Sequence, residues 1–245
     1  MSETAKISFA HRTTGSKTIG ILALQGDYDA HRKLLEGRLD TSTTTVRTPE
    51  ELAQVDALIL PGGESTTIIK LLDRIGLIAP LQARIAAGMP VYGTCAGMIL
   101  LAKNIEAYAD QPTLAAMDIT VARNAFGRQL DSFEADIPFV FTKNEKNASN
   151  EVADKGGARK HTEEEIEDVV HGVFIRAPYV TEAASNVQIL AHFRDRIVGV
   201  RQDNLLATAF HPELTDDTRV HAYFLTMVAD SREEGRLMEI RENRS

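Results

Sequence analysis

Val91-Tyr92-Gly93-Thr94-Cys95-Ala96-Gly97-Met98-Ile99-Leu100 contains the only cysteine of this 245-residue chain. An apolar run leads into Gly-x-Cys-x-Gly and a second apolar run follows, which is typical of a nucleophile elbow at a sharp strand-to-helix turn. Small residues are needed there because the strand and helix backbones approach closely. The positive end of the helix dipole favours the thiolate form of a cysteine. The segment predicts a reactive Cys95, with a small buried core residue as the alternative.

Short apolar runs alternate with helical patterns on the amino-terminal side of this elbow. Strands are predicted at 19–24, 43–47 and 56–60. Helices are predicted at 28–39, 66–75 and 78–87. Strands without polar alternation, separated by helices, indicate an α/β fold with a mostly parallel central sheet and helices on both faces. Ligands bind at the carboxyl ends of such strands, where Cys95 lies.

The carboxyl-terminal half is richer in strands. They are predicted at 119–122, 133–137, 172–176, 187–193, 197–201 and 205–210, before a helix at 216–229 that Thr215 caps. Residues 143–170 interrupt this pattern because nearly half of them are charged and few are large and apolar. This segment predicts a solvated, partly disordered insertion with a short helix at 162–169.

A base for the thiol is predicted at the end of the last strand, in His211-Pro212-Glu213-Leu214. In an extended segment, residues two apart point to the same side, so both His211 and Glu213 can face Cys95. A cysteine nucleophile needs a base, and the base needs a third group that fixes its tautomer. Cys95, His211 and Glu213 fit these three roles, although a His-Pro-Glu triplet alone is more often a surface loop.

A glycine-rich turn, Pro61-Gly62-Gly63-Glu64-Ser65-Thr66, follows the strand predicted at 56–60. Backbone N–H groups at such a turn suit a phosphate or an oxyanion, and Ser65 or Thr66 can instead simply cap a helix. No Gly-Lys-Ser/Thr follows, which weakens the phosphate interpretation. With a thiol at the neighbouring strand end, an oxyanion hole formed by the N–H groups of Gly63 and Ala96 is favoured.

Composition excludes several classes of protein. The net charge of -8 argues against a nucleic-acid binder. A single cysteine allows neither an internal disulfide nor a cysteine-cluster metal site, and predicts a reducing compartment, the cytoplasm. No apolar run approaches the roughly 18 residues of a membrane span. The domain boundaries predicted are a disordered extension at 1–17, a catalytic domain at 18–230 that contains the 143–170 insertion, and a polar tail at 231–245.

Six sequence blocks together resemble one family. They are Leu24-Gln25-Gly26, the 61–66 and 93–97 turns, Ala122-Arg123-Asn124-Ala125-Phe126-Gly127-Arg128-Gln129, Phe174-Ile175-Arg176-Ala177-Pro178 and His211-Pro212-Glu213-Leu214. In this order they closely resemble the glutaminase subunits of pyridoxal 5'-phosphate synthases, within the class I (triad) glutamine amidotransferase family. The similarity covers about residues 18–229 and implies the flavodoxin-like three-layer architecture of that family.

The resemblance implies a reaction and a set of site residues. Cys95 would attack the side-chain amide of L-glutamine to give a γ-glutamyl thioester and ammonia, with His211 moving protons and Glu213 orienting it. Gly63 and Ala96 would form the oxyanion hole. Glutamine-binding positions are expected at Gly63, Glu64, Ser65, Arg123, Ile175 and Arg176. Neither a metal nor an organic cofactor is expected.

The resemblance also implies a partner. Ammonia would pass to a separate (β/α)8-barrel synthase subunit, within a large hetero-oligomer, that makes pyridoxal 5'-phosphate from ribose 5-phosphate and glyceraldehyde 3-phosphate. Three alternatives stay open at this point. They are a glutaminase that serves another synthase, a catalytically silent regulatory subunit, and a cysteine-based redox or chaperone protein.

Overall fold

The structure is a computed structural model that describes residues 17–123, 132–143 and 164–242, with the side chains of 143, 164 and 232–242 left undescribed. The helices are α1 (Tyr28–Arg38), α2 (Pro49–Ala53), α3 (Ser65–Arg74), α4 (Ile78–Ala86), α5 (Ala96–Leu101) and α6 (Arg219–Glu242), with a 3-10 turn at Pro212–Leu214. The first six strands are β1 (Ile19–Leu22), β2 (Thr43–Val46), β3 (Ala57–Leu60), β4 (Val91–Thr94), β5 (Ala102–Ile105) and β6 (Met117–Ala122). The other six are β7 (Ser132–Lys143), β8 (Glu164–Ile175), β9 (Tyr179–Ala183), β10 (Gln188–Phe193), β11 (Arg196–Gln202) and β12 (Leu205–Thr208).

Five parallel strands form the part of the sheet that carries the turns of interest. Their order is β2-β1-β3-β4-β12, and every neighbouring pair among them is parallel. All residues of β1, β3, β4 and β12 are buried, which explains why their sequences do not alternate between polar and apolar residues. Their carboxyl ends lie at one edge of the sheet, so the segments that follow them meet there.

The remainder of the sheet is largely antiparallel. The order continues from β12 through β11, β10, β7 and β8, each pair antiparallel, while β5, β6 and β9 branch from this path. The sheet as a whole is therefore mixed. The short strands β5 and β9 and the helix α2 are additions to the elements that the sequence predicts.

The prediction of a helix at 162–169 is wrong. Residues from Glu164 onward belong to β8, which pairs with β7 along its full length, from Ser132 opposite Ile175 to Lys143 opposite Glu164. Phe139 and Phe141 of β7 are fully buried, so this pairing anchors the charged segment to the core. Cross-strand packing of this kind overrides a local charge pattern. Residues 144–163 of the predicted insertion lie outside the described residues, as do residues 1–16 of the predicted amino-terminal extension.

Helices cover both faces of the parallel strands. Successive residues of a strand point to opposite faces. Gly93 of β4 faces the backbone of α5, whereas Tyr92 packs its ring against His31 of α1 and against His221 of α6. Helices α1 and α6 thus lie on one face and α5 on the other, which gives three layers. Helix α6 begins three residues later than predicted and continues to Glu242 through the predicted tail.

Candidate active site

Cys95 lies at the junction of β4 and α5 in a strained backbone conformation. Its φ is 48° and its ψ is -99°, a region that residues with a Cβ atom rarely occupy. A Cβ at Gly97 would lie 2.2 Å from the carbonyl oxygen of Leu60, and one at Gly93 would lie 2.5 Å from the carbonyl carbon of Gly97. The two glycines therefore allow the close approach that the elbow requires, as the sequence predicts.

Two hydrogen bonds position His211, one from its backbone and one from its ring. The His211 N–H donates to the carbonyl of Val173 at 2.8 Å, which bridges this residue to β8. The ring Nδ1 lies 2.7 Å from Glu213 Oε1, and both residues are buried. The two side chains meet as predicted, but through a different local structure, because β12 ends at Thr208 and Pro212–Leu214 forms a 3-10 turn.

The electrostatics favour a charged pair within this cluster. Burial by itself lowers the pKa of His211, but hydrogen bonds to Cys95 and Glu213 outweigh it and raise that pKa to about 10. Burial would raise the pKa of Glu213, yet the neighbouring His31 and His211 hold it well below its usual range. The site therefore contains an imidazolium bonded on one side to the Cys95 sulfur and on the other to a carboxylate.

The turn after β3 packs directly on this cluster. A Cβ at Gly62 would lie 2.2 Å from His211 Cε1, so the turn backbone touches the imidazole. Gln25 supports the same turn, because its Oε1 accepts from the Glu64 N–H at 2.7 Å. Ala96 is the first residue of α5, so its N–H belongs to the first helical turn, where no helix carbonyl accepts it. Gly63 thus lies just before α3, and Ala96 is the first residue of α5, directly after Cys95.

The residues predicted to bind glutamine share one polar network beside the thiol. Arg123 Nη2 donates to Glu64 Oε1 at 2.9 Å, and Arg123 Nη1 donates to Gln111. Gln111 in turn donates to the buried Ser65 hydroxyl at 3.1 Å. Burial would raise the pKa of Glu64, but hydrogen bonds from Thr66 and, to a smaller extent, the charges on Arg123 and Arg176 lower it.

The segment after β8 completes the rim of the site. The carbonyl oxygen of Ile175 lies 3.8 Å from Cys95 Sγ. Arg176 is exposed and has a φ of 44°, so the chain turns sharply at the point where the two residues reach the cluster. The structure therefore brings together every site residue that the sequence predicts. Residues 124–131, which contain the rest of the arginine block, lie outside the described residues.

Sequence reasoning missed two fully buried histidines, His31 and His221. His31 Nε2 lies 3.4 Å from Glu213 Oε1, and His31 Nδ1 lies 2.9 Å from His221 Nε2. Gln25 and Gln111 were also given no role. The available signal was helical spacing, because His31, Leu34 and Leu35 form one buried face of α1. A histidine on such a face is normally taken for a core residue.

Neither a metal-binding cluster nor a membrane-spanning helix is found in the described ranges. Within 17–123, 132–143 and 164–242, no three His, Cys, Asp or Glu side chains are grouped to hold a metal ion. In the same ranges, no helix combines the length and the apolarity that crossing a membrane requires.

Comparison with known proteins identifies relatives along most of the chain. The profile of the SNO glutamine amidotransferase family matches residues 21–230. The pyridoxal 5'-phosphate synthase subunit PdxT of Carboxydothermus hydrogenoformans is 50% identical over 210 residues, covering 86% of this chain and 97% of that protein. The PdxT of a Roseiflexus species is 50% identical over 212 residues, covering 86% and 100%.

Solved structures agree with this similarity. A crystal structure described as a glutamine amidotransferase is 42% identical with a TM-score of 0.71, covering 86% of this chain and 98% of that one. A putative GMP synthase subunit from Thermoplasma acidophilum, 16% identical with a TM-score of 0.56, covers 92% of this chain and 99% of that one and shares the fold alone. The predicted class I amidotransferase fold is confirmed.

Proposed function

The chain belongs to the SNO glutamine amidotransferase family, and from this premise we propose that it is the glutaminase subunit of a pyridoxal 5'-phosphate synthase. It hydrolyses L-glutamine to glutamate and ammonia and supplies the ammonia to the synthase subunit. The observation that carries the proposal is the Cys95–His211–Glu213 cluster at the carboxyl edge of the parallel strands. A silent regulatory subunit would need neither a strained nucleophile elbow nor an imidazole held between a sulfur and a buried carboxylate.

The first half of the reaction forms a thioester. The Cys95 sulfur attacks the side-chain amide carbon of glutamine and forms a C–S bond, and the carbonyl oxygen takes up negative charge. The N–H groups of Gly63 and Ala96 donate to that oxygen. His211 gives its proton to the amide nitrogen, the C–N bond breaks, and ammonia leaves. Glu213 keeps its hydrogen bond to Nδ1, so Nε2 is the nitrogen that exchanges protons.

The second half returns the enzyme to its starting state. His211, now neutral, takes a proton from water, and the resulting hydroxide adds to the thioester carbon. The same two N–H groups stabilise the second oxyanion. The C–S bond breaks, glutamate leaves, and the Cys95 sulfur again lies beside the protonated His211. Burial of the cluster keeps the electrostatic interactions strong throughout.

Glutamine recognition is assigned to the polar network beside the thiol. Glu64 is about half exposed and suits the substrate ammonium group, whereas the guanidinium groups of Arg123 and Arg176 suit its carboxylate. Ser65 and the backbone of Gly63 and Ile175 complete the contacts. Glutamine carries both an ammonium group and a carboxylate. When it binds, its ammonium group can pair with Glu64 and its carboxylate with Arg123, in place of the Arg123–Glu64 ion pair.

The partner is the ammonia-consuming synthase subunit. The name of the PdxT relatives specifies a synthase subunit. The resemblance of the motifs implies that the partner is a (β/α)8 barrel within a large hetero-oligomer and that ammonia reaches it through a tunnel. A reactive lone cysteine requires a reducing compartment, and we assign the complex to the cytoplasm.

The test measures ammonia release from L-glutamine by the purified chain, alone and with a pyridoxal 5'-phosphate synthase barrel subunit. We expect activity that appears or rises on addition of the barrel. Cys95→Ala should abolish ammonia release, and added ammonium chloride should restore pyridoxal phosphate formation by the mutant complex. No ammonia release by the wild-type complex, or no rescue of the mutant complex, would contradict the proposal.

A further inference from the structure

A buried carboxylate in this site depends on more than one hydrogen bond. The Glu213 side chain is completely inaccessible, and its Oε1 lies 2.7 Å from His211 Nδ1, 3.4 Å from His31 Nε2 and 3.5 Å from Thr94 Oγ1. Among the described residues, Glu213 Oε2 has no hydrogen-bond partner. Every polar contact of this carboxylate therefore converges on one oxygen. A buried ion with so few partners is stable only if each partner donates.

His31 is the partner that comes from outside the catalytic turn. It lies on α1 with 0% exposure, whereas Glu213 lies in the 3-10 turn after β12. An ionised carboxylate only accepts hydrogen bonds, so His31 must present an Nε2–H toward Glu213. His31 Nε2 also lies 3.3 Å from Oγ1 of Thr94, the last residue of β4 and the one just before the nucleophile. His31 thus connects the helix, the strand of Cys95 and the catalytic turn.

His221 determines which His31 nitrogen carries the proton. Its Nε2 lies 2.9 Å from His31 Nδ1, and its own Nδ1 has no partner among the described residues. Burial, reinforced by the proximity of His31, lowers the pKa of His221 to about 3, so its ring is neutral. If His221 Nε2 carries the proton, it donates to His31 Nδ1. His221 Nδ1 is then an acceptor without a partner among the described residues, and no N–H group is left unpaired on this ring. The reverse arrangement would bury an unpaired N–H donor, which native proteins rarely tolerate.

We propose that His31 is a positioning residue of the glutaminase reaction, with its Nε2–H holding Glu213 Oε1 against His211 and with His221 fixing the tautomer of His31. The inference rests on the proposed glutaminase function and deepens it. His211 changes its protonation state twice in each turnover. A second donor, on a different element, keeps the carboxylate aimed at Nδ1 in both states.

The surroundings of His31 contain few other ionisable groups. Glu213, which also bonds His211, approaches from the catalytic turn, Tyr92 from β4 and His221 from α6. Asp217 acts on His221 only through its charge, and Thr94 is uncharged. Loss of the His31 hydrogen bond should therefore raise the pKa of Glu213. The acid limb of the activity profile should then move to higher pH, because Glu213 must be ionised for His211 to work.

Two amide substitutions form a matched pair for the test. Glutamine places an amide nitrogen near the position of Nε2, whereas asparagine places one near Nδ1 and cannot reach Glu213. Ammonia release is measured with the barrel subunit present from pH 9 down to about pH 3, because the pKa of Glu213 lies well below its usual range. We expect H31Q to stay within about threefold of wild type and H31N to lose about tenfold in kcat with an unchanged KM. The acid limb should move upward only for H31N.

A structural role alone would give other results. Phe224→Leu serves as the stability control, because Phe224 is fully buried beside Tyr92 and makes no polar contact with Glu213. It should lower the melting temperature and leave kcat and the acid limb unchanged. Equal kcat for H31N and H31Q, or a loss in Phe224→Leu like that in H31N, would overturn the inference. An inactive wild-type complex would instead overturn the proposed function.

A measurement on the unmodified chain applies even if the variants do not fold. Ring 15N shifts of histidine-labelled wild type report the tautomer of each buried imidazole. We expect a proton on Nε2 of His31 and a neutral His221 that is protonated on Nε2. A His31 ring with a bare Nε2 has nothing to donate to Glu213 and would overturn the proposal.

Discussion

The turn after β3 should tolerate no methyl group at Gly62, although its backbone dihedrals do not require glycine. A Cβ there would lie 2.2 Å from His211 Cε1 and 2.9 Å from Nδ1, whereas ordinary contacts begin near 3.4 Å. With a methyl group at position 62, the turn backbone and the His211 imidazole must therefore move apart by more than about 1 Å. The ring is the part that yields, because β3 and β4 are held by their parallel pairing.

Movement of the ring by this amount breaks the catalytic contacts. The His211 Nδ1 to Glu213 distance of 2.7 Å would exceed hydrogen-bonding range, and the contact with the Cys95 sulfur would change as well. A displacement of about 1 Å at a reacting group costs about 100-fold in rate. We therefore expect Gly62→Ala to reduce kcat for ammonia release about 100-fold with the barrel subunit present, and to destabilise the fold by about 1–3 kcal/mol.

Gly37→Ala is the matched control for this substitution. Gly37 lies in α1, and a Cβ there would meet nothing within 4 Å. Alanine should stabilise that helix by about 0.5–1 kcal/mol and leave the rate unchanged. Both variants are assayed for ammonia release and for thermal unfolding. A folded Gly62→Ala enzyme with a rate within about threefold of wild type would refute the packing of this turn on the imidazole.

Three further predictions follow from the described contacts. Because the pKa of His211 is about 10 in the folded chain against 6.5 as its ordinary value, its proton stabilises the fold fully below pH 6.5 and that stabilisation disappears as the pH rises through 10. An NMR titration of the His211 ring with a midpoint near 6.5 would contradict this. Arg123→Lys should raise KM for glutamine about tenfold with little change in kcat, because lysine lacks the paired N–H groups with which a guanidinium binds the substrate carboxylate, and an unchanged KM would exclude the role. Replacing residues 144–163 by Asn-Gly should preserve the melting temperature, because Lys143 pairs with the first residue of β8, and extending the deletion through residue 170 should unfold the chain. Equal melting temperatures for the two deletions would contradict that structural role of β8.

The sequence is most informative where chemistry and strand ends coincide. Cys95 follows β4 and the 61–66 turn follows β3, so the rule that parallel strands end at one edge brings them together without any knowledge of packing. The pairing of His211 with Glu213 was predicted from extended geometry, and it arises instead from a 3-10 turn that begins at Pro212. The residues meet because their spacing is short, and this makes the prediction robust to the error in local structure.

Elsewhere the local sequence favours a different structure, or carries a signal beyond the predicted elements. Residues 164–169 carry four acidic groups in six positions, yet they form a strand because β7 offers a long, partly buried partner. Helix α2 could have been predicted, since Thr48 and Glu51 form a capping box with Pro49 at the first helical position. His31 and His221 could not, because their roles depend on a contact between two helices that are far apart in the sequence.

The strain at Cys95 is a property of the sheet and not of the turn alone. A positive φ at a residue with a Cβ costs about 1–3 kcal/mol and persists only where the surroundings over-determine it. Here the Cys95 N–H donates to the Thr208 carbonyl of β12 at 2.8 Å, and Gly97 packs on the Leu60 carbonyl of β3. Both constraints depend on the register that sets Leu60 and Thr208 beside β4. The same two strands lead to Gly62 and His211, so one register both enforces the nucleophile's conformation and delivers its partners. A slip by one residue would turn each of these side chains to the opposite face, and the geometry of the site is therefore as stable as the pairing of β3, β4 and β12.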